Sequence, residues 1–333
     1  MTHYEIPTRP KRLRQTETTR ALMRETRLHP EQLIAPLFIH EGLDSAKEIK
    51  AMPEQFQLSL TDLPDEIDNL HALGIKAVLL FGIPLQKDEY GSAALEENGI
   101  IQRAIRTIKQ HNPEILVISD LCFCEYTSHG HCGTLEPHTQ CIDNDATLQA
   151  LAKQALSHAR AGVDWIAPSG MADGMVHAIR SSLDNAGYTQ TAILSYSVKY
   201  CSSFYGPFRE AAQGAPQFGD RRSYQMDPAN KLEGLREAEL DIQEGADVIM
   251  VKPAMLYLDI IHQLKTCFPQ IPLCAYQVSG EYSLIKSGAR QGLLDEQQGM
   301  LESLIAIRRA GADMIISYFA KDYARYYYAQ NLK

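Results

Sequence analysis

One motif recurs along this chain and limits what it can fold into: a glycine followed at once by a short, continuous apolar run. ALGIKAVLLFG (72–82), RAGVDWIAPSG (160–170), QEGADVIMVKP (243–253) and RAGADMIISYF (309–319) all carry it. Glycine enters the left-handed conformation that ends a helix at little steric cost, and the apolar run that follows is strand-like. The motif therefore predicts four helix-to-strand junctions, at Gly74, Gly162, Gly245 and Gly311. LIAPLFI (33–39), ILVISDLCF (115–123), AILSYSV (192–198) and LCAYQVS (273–279) bring the apolar runs to eight. The runs are continuous rather than alternating, as in parallel strands covered on both faces. Segments with helical spacing, such as 145–161 and 228–245, lie between them. Eight strands alternating with helices over about 300 residues predict an α/β fold, a (β/α)8 TIM barrel. No glycine-rich dinucleotide fingerprint follows the first run, which disfavours an open doubly wound sheet. The predicted organisation is an N-terminal arm over 1–30 and a barrel domain over 31–333.

Hydrophobic residues make up 45% of the 333 and charged residues 22%. That balance builds a sizeable core and excludes a disordered chain or a disulfide miniprotein. No apolar run reaches the roughly 18 residues of a membrane span. The start, MTHYEIPTRPKRLRQ, lacks the apolar centre of a secretory signal, so a cytoplasmic location is expected. A net charge of −9 argues against nucleic acid as a partner. Residues 1–27 nevertheless hold seven Arg/Lys against three Glu, a local +4 on a remainder of −13. Such an arm suits the acidic surface of a neighbouring subunit.

Seven cysteines, an odd number in a chain without an export signal, argue against a disulfide framework. Three fall in DLCFCEYTSHGHCG (120–133). In extended backbone Asp120, Cys122 and Cys124 point the same way. A turn through Ser128, Gly130 and Gly133 returns Cys132 to them. Three soft thiolates with one open position suit zinc, and His129 and His131 are candidates for a fourth ligand or for nearby bases. The plain alternative is buried thiols beside chance histidines; the third cysteine and the His-Gly-His between favour the metal. Cys141, Cys201, Cys267 and Cys274 read as solitary thiols.

Lys199 and Lys252 end consecutive apolar runs, where an ammonium is costly to desolvate. If both enter the barrel mouth, desolvation and like-charge repulsion favour neutral amines that attack carbonyls, which is Schiff-base chemistry. The alternative is that each stem snorkels to solvent or meets a carboxylate. Two long stretches after strands, 121–144 and 201–227, are the expected functional loops. The second carries Arg209, Arg221 and Arg222 among Phe204, Tyr205, Phe208 and Tyr224, a set suited to a lid over a carboxylate substrate. Ser279 and Tyr318 fall at strand ends, where a hydroxyl can bind a second carboxylate.

The runs DLCFCEYTSHGHCG, SYSVKYCSSFYGPFREA, GDRRSYQM, GADVIMVKPAMLYLDI and AYQVSGEY resemble the porphobilinogen synthase (aminolaevulinic acid dehydratase) family, over nearly the whole chain from RPKRLR to ISYFA. The resemblance implies a barrel enzyme, a hydro-lyase of haem biosynthesis, that condenses two 5-aminolaevulinate molecules into porphobilinogen. It implies Lys252 and Lys199 as the Schiff-base lysines, with Asp120 as a nearby base or water-orienting carboxylate. Arg209 and Arg221 would hold one substrate carboxylate, Ser279 and Tyr318 the other. Cys122, Cys124 and Cys132 would bind the catalytic zinc. Glu237 matches the position of an activating, allosteric magnesium, and the arm implies a homo-octamer. Gly170 and Met175 replace the aspartate and arginine of many members, which bears on a neighbouring contact rather than on the chemistry. Two rivals make different predictions. A single-lysine aldolase with a structural zinc spares much activity when Lys199 is replaced, and a metal-binding or redox-sensing protein without turnover has no use for Lys252.

Overall fold

A computed structural model describes residues 6–331; the first five residues of the predicted arm and the last two of the barrel lie outside the described residues. Eight strands form its centre: β1 Leu33–His40, β2 Ala77–Ile83, β3 Leu116–Leu121, β4 Trp165–Pro168, β5 Ala192–Lys199, β6 Val248–Lys252, β7 Leu273–Gln277 and β8 Met314–Ser317. Each lies parallel to the next, and β8 pairs back onto β1 through Leu33 opposite Ile315 and Ile34 opposite Ile316. The sheet is closed, and all eight apolar runs are its strands. A small hairpin that the sequence did not announce follows β1. Its strands Lys47–Glu48 and Phe56–Leu58 run antiparallel, and the second continues the sheet beside the end of β1.

Local chemistry sets the helix ends. The helix Asn144–Ala161 starts where the Asp143 side chain accepts a hydrogen bond from the Ala146 amide, and stops at Gly162 with φ +96°. Gly74, Gly245 and Gly311 likewise take φ of +70°, +104° and +126°, as their motif predicts. Three of the four motifs contain a second device, an aspartate two residues after the glycine. Asp164, Asp247 and Asp313 each accept the backbone N–H of a residue at the start of the preceding strand: Val117, Ile193 and Leu273, at 2.7, 2.8 and 2.9 Å. Lys109 and Lys265 bind Asp164 and Asp313 from the helix side. Each carboxylate thus pins helix, turn and strand register together, satisfying an amide that the ladder leaves over.

The stretch 121–144 has no helix or strand between Leu121 and Asn144, as expected. The stretch 201–227 is not a plain loop: it opens with a short 3-10 turn, Ser203–Tyr205, and the helix Gly206–Ala211. Its Gly-Pro start and apolar residues pack that helix over the barrel mouth. In the arm a 3-10 turn, Pro10–Arg14, and a helix, Glu17–Leu22, carry no buried residue, and Leu22 is 75% exposed. Among the described residues no helix is long and apolar enough to cross a membrane.

Candidate active site

The C-terminal ends of β5 and β6 place Lys199 directly opposite Lys252 in the ladder. Both are buried. The Tyr196 ring faces the two amines at 5.5 and 5.0 Å. Lys199 donates to the Ser169 carbonyl at 2.5 Å. Lys252 sits among rings instead: Tyr276 at 4.3 Å, Phe208 at 5.2 Å and Tyr205 at 5.3 Å from Nζ. Burial first, and the charge of Lys199 second, lower the Lys252 pKa to about 7. Rings attract a cation more weakly than water hydrates it. A neutral amine is therefore available near neutral pH, as nucleophilic chemistry requires.

Beside the lysines, Cys122, Cys124 and Cys132 bring their sulfurs within 4.8 Å of one another, all buried. Cys122 and Cys124 are 3.3 Å apart. The pKa of the Cys132 thiol lies below its ordinary value: its contacts with Cys122 and Cys124 lower it most, outweighing burial, and Arg221 and Lys199 add attraction. Asp120 accepts from Ser169 at 3.2 Å, and its other oxygen has no partner. Burial, then repulsion from Glu125, push its pKa up to about 7, against the pull of Lys199 and Lys252. Glu125 is a site residue that sequence reasoning missed. It is buried, it accepts from Cys124 Sγ at 3.2 Å, and it lines one cavity with Asp120, both lysines and both predicted arginines. Its only signal was a charge inside the cysteine run.

Arg209 on the helix Gly206–Ala211 and Arg221 beyond it both reach that cavity, and the Nε of each has no partner. Arg221 is also anchored, donating to the carbonyls of Gly130 and Gly214 at 2.9 and 2.6 Å. Arg222 points away and is exposed. Ser279 and Tyr318 do not line that cavity; they touch Phe208 and Tyr276, two of the residues whose rings flank Lys252. Ser279 Oγ accepts from the Phe208 amide at 2.9 Å, and the Tyr318 hydroxyl meets that of Tyr276 at 3.0 Å. Ser279 opens the helix Ser279–Arg290 instead of ending a strand. The histidines differ from expectation, since neither joins the sulfur group. His129 Nε2 meets the Glu89 carbonyl and its Nδ1 accepts from the His131 amide. His131 meets Tyr224 Oη and the Phe218 carbonyl. With both ring nitrogens of each engaged, His131 holds the 214–224 segment against the cysteine loop and His129 ties that loop to Glu89.

Residues 7–326 match the family described as delta-aminolevulinic acid dehydratase. The chain belongs to that family. It is 54% identical over 318 residues to the delta-aminolevulinic acid dehydratase of Halalkalibacterium halodurans, covering 96% of both chains. It is 51% identical to that of Staphylococcus epidermidis, covering 96% of this chain and 98% of the other. A solved relative, the delta-aminolevulinic acid dehydratase (porphobilinogen synthase) of Toxoplasma gondii ME49 in complex with the reaction product porphobilinogen, superposes with a TM-score of 0.94. It is 42% identical, with 97% of this chain and 92% of that one covered.

The remaining predicted residues of this dehydratase family member lie apart from the lysines. Glu237, on the helix Leu232–Glu244, is half-buried beside a cavity shared with Asp173, Glu233 and Gly170. Burial, then Asp173, Asp241 and Glu233, push its pKa up to about 7. Gly170 lines that cavity too, and a Cβ there would sit 3.5 Å from the Cys132 carbonyl. Met175 is buried as the first residue of the helix Met175–Asn185.

Proposed function

We propose that this chain is a porphobilinogen synthase, a hydro-lyase that condenses two 5-aminolaevulinate molecules to porphobilinogen with loss of two waters. The observation that carries the reading is the pair Lys199 and Lys252, in register on adjacent strands and in one cavity with Arg209, Arg221 and Cys124 of the cysteine cluster. Each lysine amine adds to the ketone carbon of one substrate and water leaves, giving an iminium that is a better electron sink than the ketone. Asp120, in its ionised form, takes the proton alpha to one iminium; the enamine so formed attacks the iminium carbon of the other substrate, making the carbon–carbon bond and leaving that lysine attached as an amine. The amino group of one substrate displaces a lysine amine to make the carbon–nitrogen bond. Elimination of the second lysine amine completes the ring, so both lysines are regenerated and the two waters of imine formation account for the stoichiometry. Arg209 and Arg221, with free Nε groups, hold one carboxylate by charge-assisted hydrogen bonds; Ser279 and Tyr318 hold the other, on the Lys252 side.

The cysteine trio fits zinc by its donors, three buried thiols of which one is already favoured as thiolate. Zinc held by Cys122, Cys124 and Cys132 supplies Lewis-acid chemistry beside the lysines. Glu237 among carboxylates offers oxygen ligands of the kind magnesium takes with several waters, and we assign it the allosteric ion that the family resemblance implies. The exposed apolar and basic arm is assigned to subunit contacts in a homo-octamer.

The test is porphobilinogen formation by zinc-loaded protein. Wild type is expected to turn over, and Lys252→Met and Lys199→Met each to lose at least about 1,000-fold. Retention of substantial turnover by Lys199→Met would return the chain to the single-lysine aldolase reading.

A further inference from the structure

The ladder between β6 and β7 runs only as far as Val251 opposite Ala275. Beyond it the two chains diverge, one into the turn after Lys252 and the other into the helix headed by Ser279. A buried carboxylate bridges the gap. Glu281, 1% exposed, accepts the Met255 amide through Oε1 at 2.7 Å and the Val278 amide through Oε2 at 2.9 Å. One amide lies three residues past Lys252; the other belongs to the residue before Ser279. Gln277 Nε2 reaches Met255 Sδ at 3.5 Å and reinforces the same junction. Capping the helix needs only the bond to Val278. The bond to Met255 lies outside the helix and does something else: it ties the lysine's turn to the serine's helix.

We propose that Glu281 is a positioning residue that sets the separation between Lys252 and Ser279, and thereby the chain length of the keto acid that this half of the site accepts. The inference rests on the reading that Lys252 takes the ketone and Ser279, with Tyr318, the carboxylate of the same molecule. A 4-oxo acid has two methylenes between those groups. A carboxylate that accepts from both amides at once leaves the two anchors little freedom to accommodate a third. Glu281→Gln breaks the bridge without changing its size, because one amide oxygen serves a single N–H and the amide nitrogen then faces the other donor. Glu281→Asp keeps the charge but is one methylene too short to reach both.

The experiment is a competition. Zinc-loaded full-length protein is given equal 4-oxopentanoate and 5-oxohexanoate, reduced with borohydride, and the two adducts on the Lys252 peptide are quantified by mass. Because the ratio is internal, it is independent of how much protein is folded, and Glu281→Asp supplies it should Glu281→Gln not fold. The wild type is expected to favour the shorter acid by about tenfold or more, the discrimination available from one methylene. In either variant the preference falls to within about threefold. A wild-type ratio in both variants, whatever their melting temperatures, would reduce Glu281 to a helix cap and overturn the proposal. Equal trapping of the two acids by the wild type would also overturn it. No adduct on Lys252 in the wild type would instead overturn the assignment of Lys252, and the proposal with it.

Discussion

Lys252 and Lys286 are both buried lysines with aromatic neighbours, and their chemistry diverges. Lys252 is 6% exposed and Lys286 1%. Tyr282 and Phe319 lie 5.7 and 5.6 Å from Lys286 Nζ, much as rings surround Lys252. The difference is the counter-charge. Lys286 binds Glu54, Glu296 and Asp322 at 2.7, 2.6 and 3.3 Å. Burial opposes its charge, but Glu296 and Glu54 outweigh burial and raise its pKa above the ordinary 10.5. Lys252 has no carboxylate within salt-bridge distance among the described residues, and its pKa falls to about 7. Burial alone therefore does not make a lysine nucleophilic; at Lys252 it comes without an ion-pair partner and beside a second ammonium. Lys286 instead fastens the hairpin, through Glu54, to the helix Ser279–Arg290.

The largest contrast is in turnover. Lys252→Met should abolish porphobilinogen formation, by the 1,000-fold or more given above, while Lys286→Met retains kcat within about threefold in the folded fraction; steady-state assays of both separate the two roles. Next comes pH. The rate of borohydride trapping at Lys252 should fall about tenfold per unit below about pH 7, because the ammonium does not attack a ketone. Stability moves in opposite senses at the two lysines. The unfolded chain keeps the Lys252 proton up to about 10.5 while the folded one releases it near 7, so Lys252 makes stability rise with pH across that window. The raised pKa of Lys286 contributes stability that is present below 10.5 and is lost as pH climbs through its folded value. Denaturant titrations of wild type and Lys252→Met between pH 7 and 10.5 check the first sign, and those of wild type and Lys286→Met from pH 10 upward check the second.

A smaller effect is the stability of Lys286→Met at pH 7. Removing one partner of a buried pair costs about 3–5 kcal/mol. Here the carboxylates of Glu54, Glu296 and Asp322 are 59%, 42% and 26% exposed. Solvent screening brings the expected loss to about 2 kcal/mol, read from urea unfolding. The smallest is a displacement of the pH profile. The Asp120 charge raises the Lys252 pKa, so Asp120→Asn should move the acid limb of trapping to lower pH by less than about one unit. A shift to higher pH would show that Asp120 is not the charge that Lys252 senses.

The barrel was legible because each strand announces itself locally. A continuous apolar run and a glycine at a helix end are properties of neighbouring residues, and Gly74, Gly162, Gly245 and Gly311 all take positive φ. The lysines and cysteines were legible because their residue types are costly or reactive where they stand. What joins distant segments was hidden. Tyr196, Tyr205, Phe208 and Tyr276 meet around Lys252 from three separate stretches of chain. Glu281 looks in sequence like any helix carboxylate until Met255 arrives from another strand end. The hairpin at 47–58 was missed because its strands are two and three residues long, too short to show alternation. The second long stretch was read as a loop because its Gly, Pro and Arg content outweighed the one turn of helical spacing in it.

The most direct test of the central claim, that two register-paired lysines share one imine-forming cavity, is borohydride reduction in the presence of 5-aminolaevulinate followed by peptide mapping. The account predicts substrate-dependent adducts on the peptides containing Lys252 and Lys199, and none on the equally buried Lys286. Folded, zinc-loaded protein that yields no adduct at Lys252 or Lys199, or as much at Lys286, would contradict it.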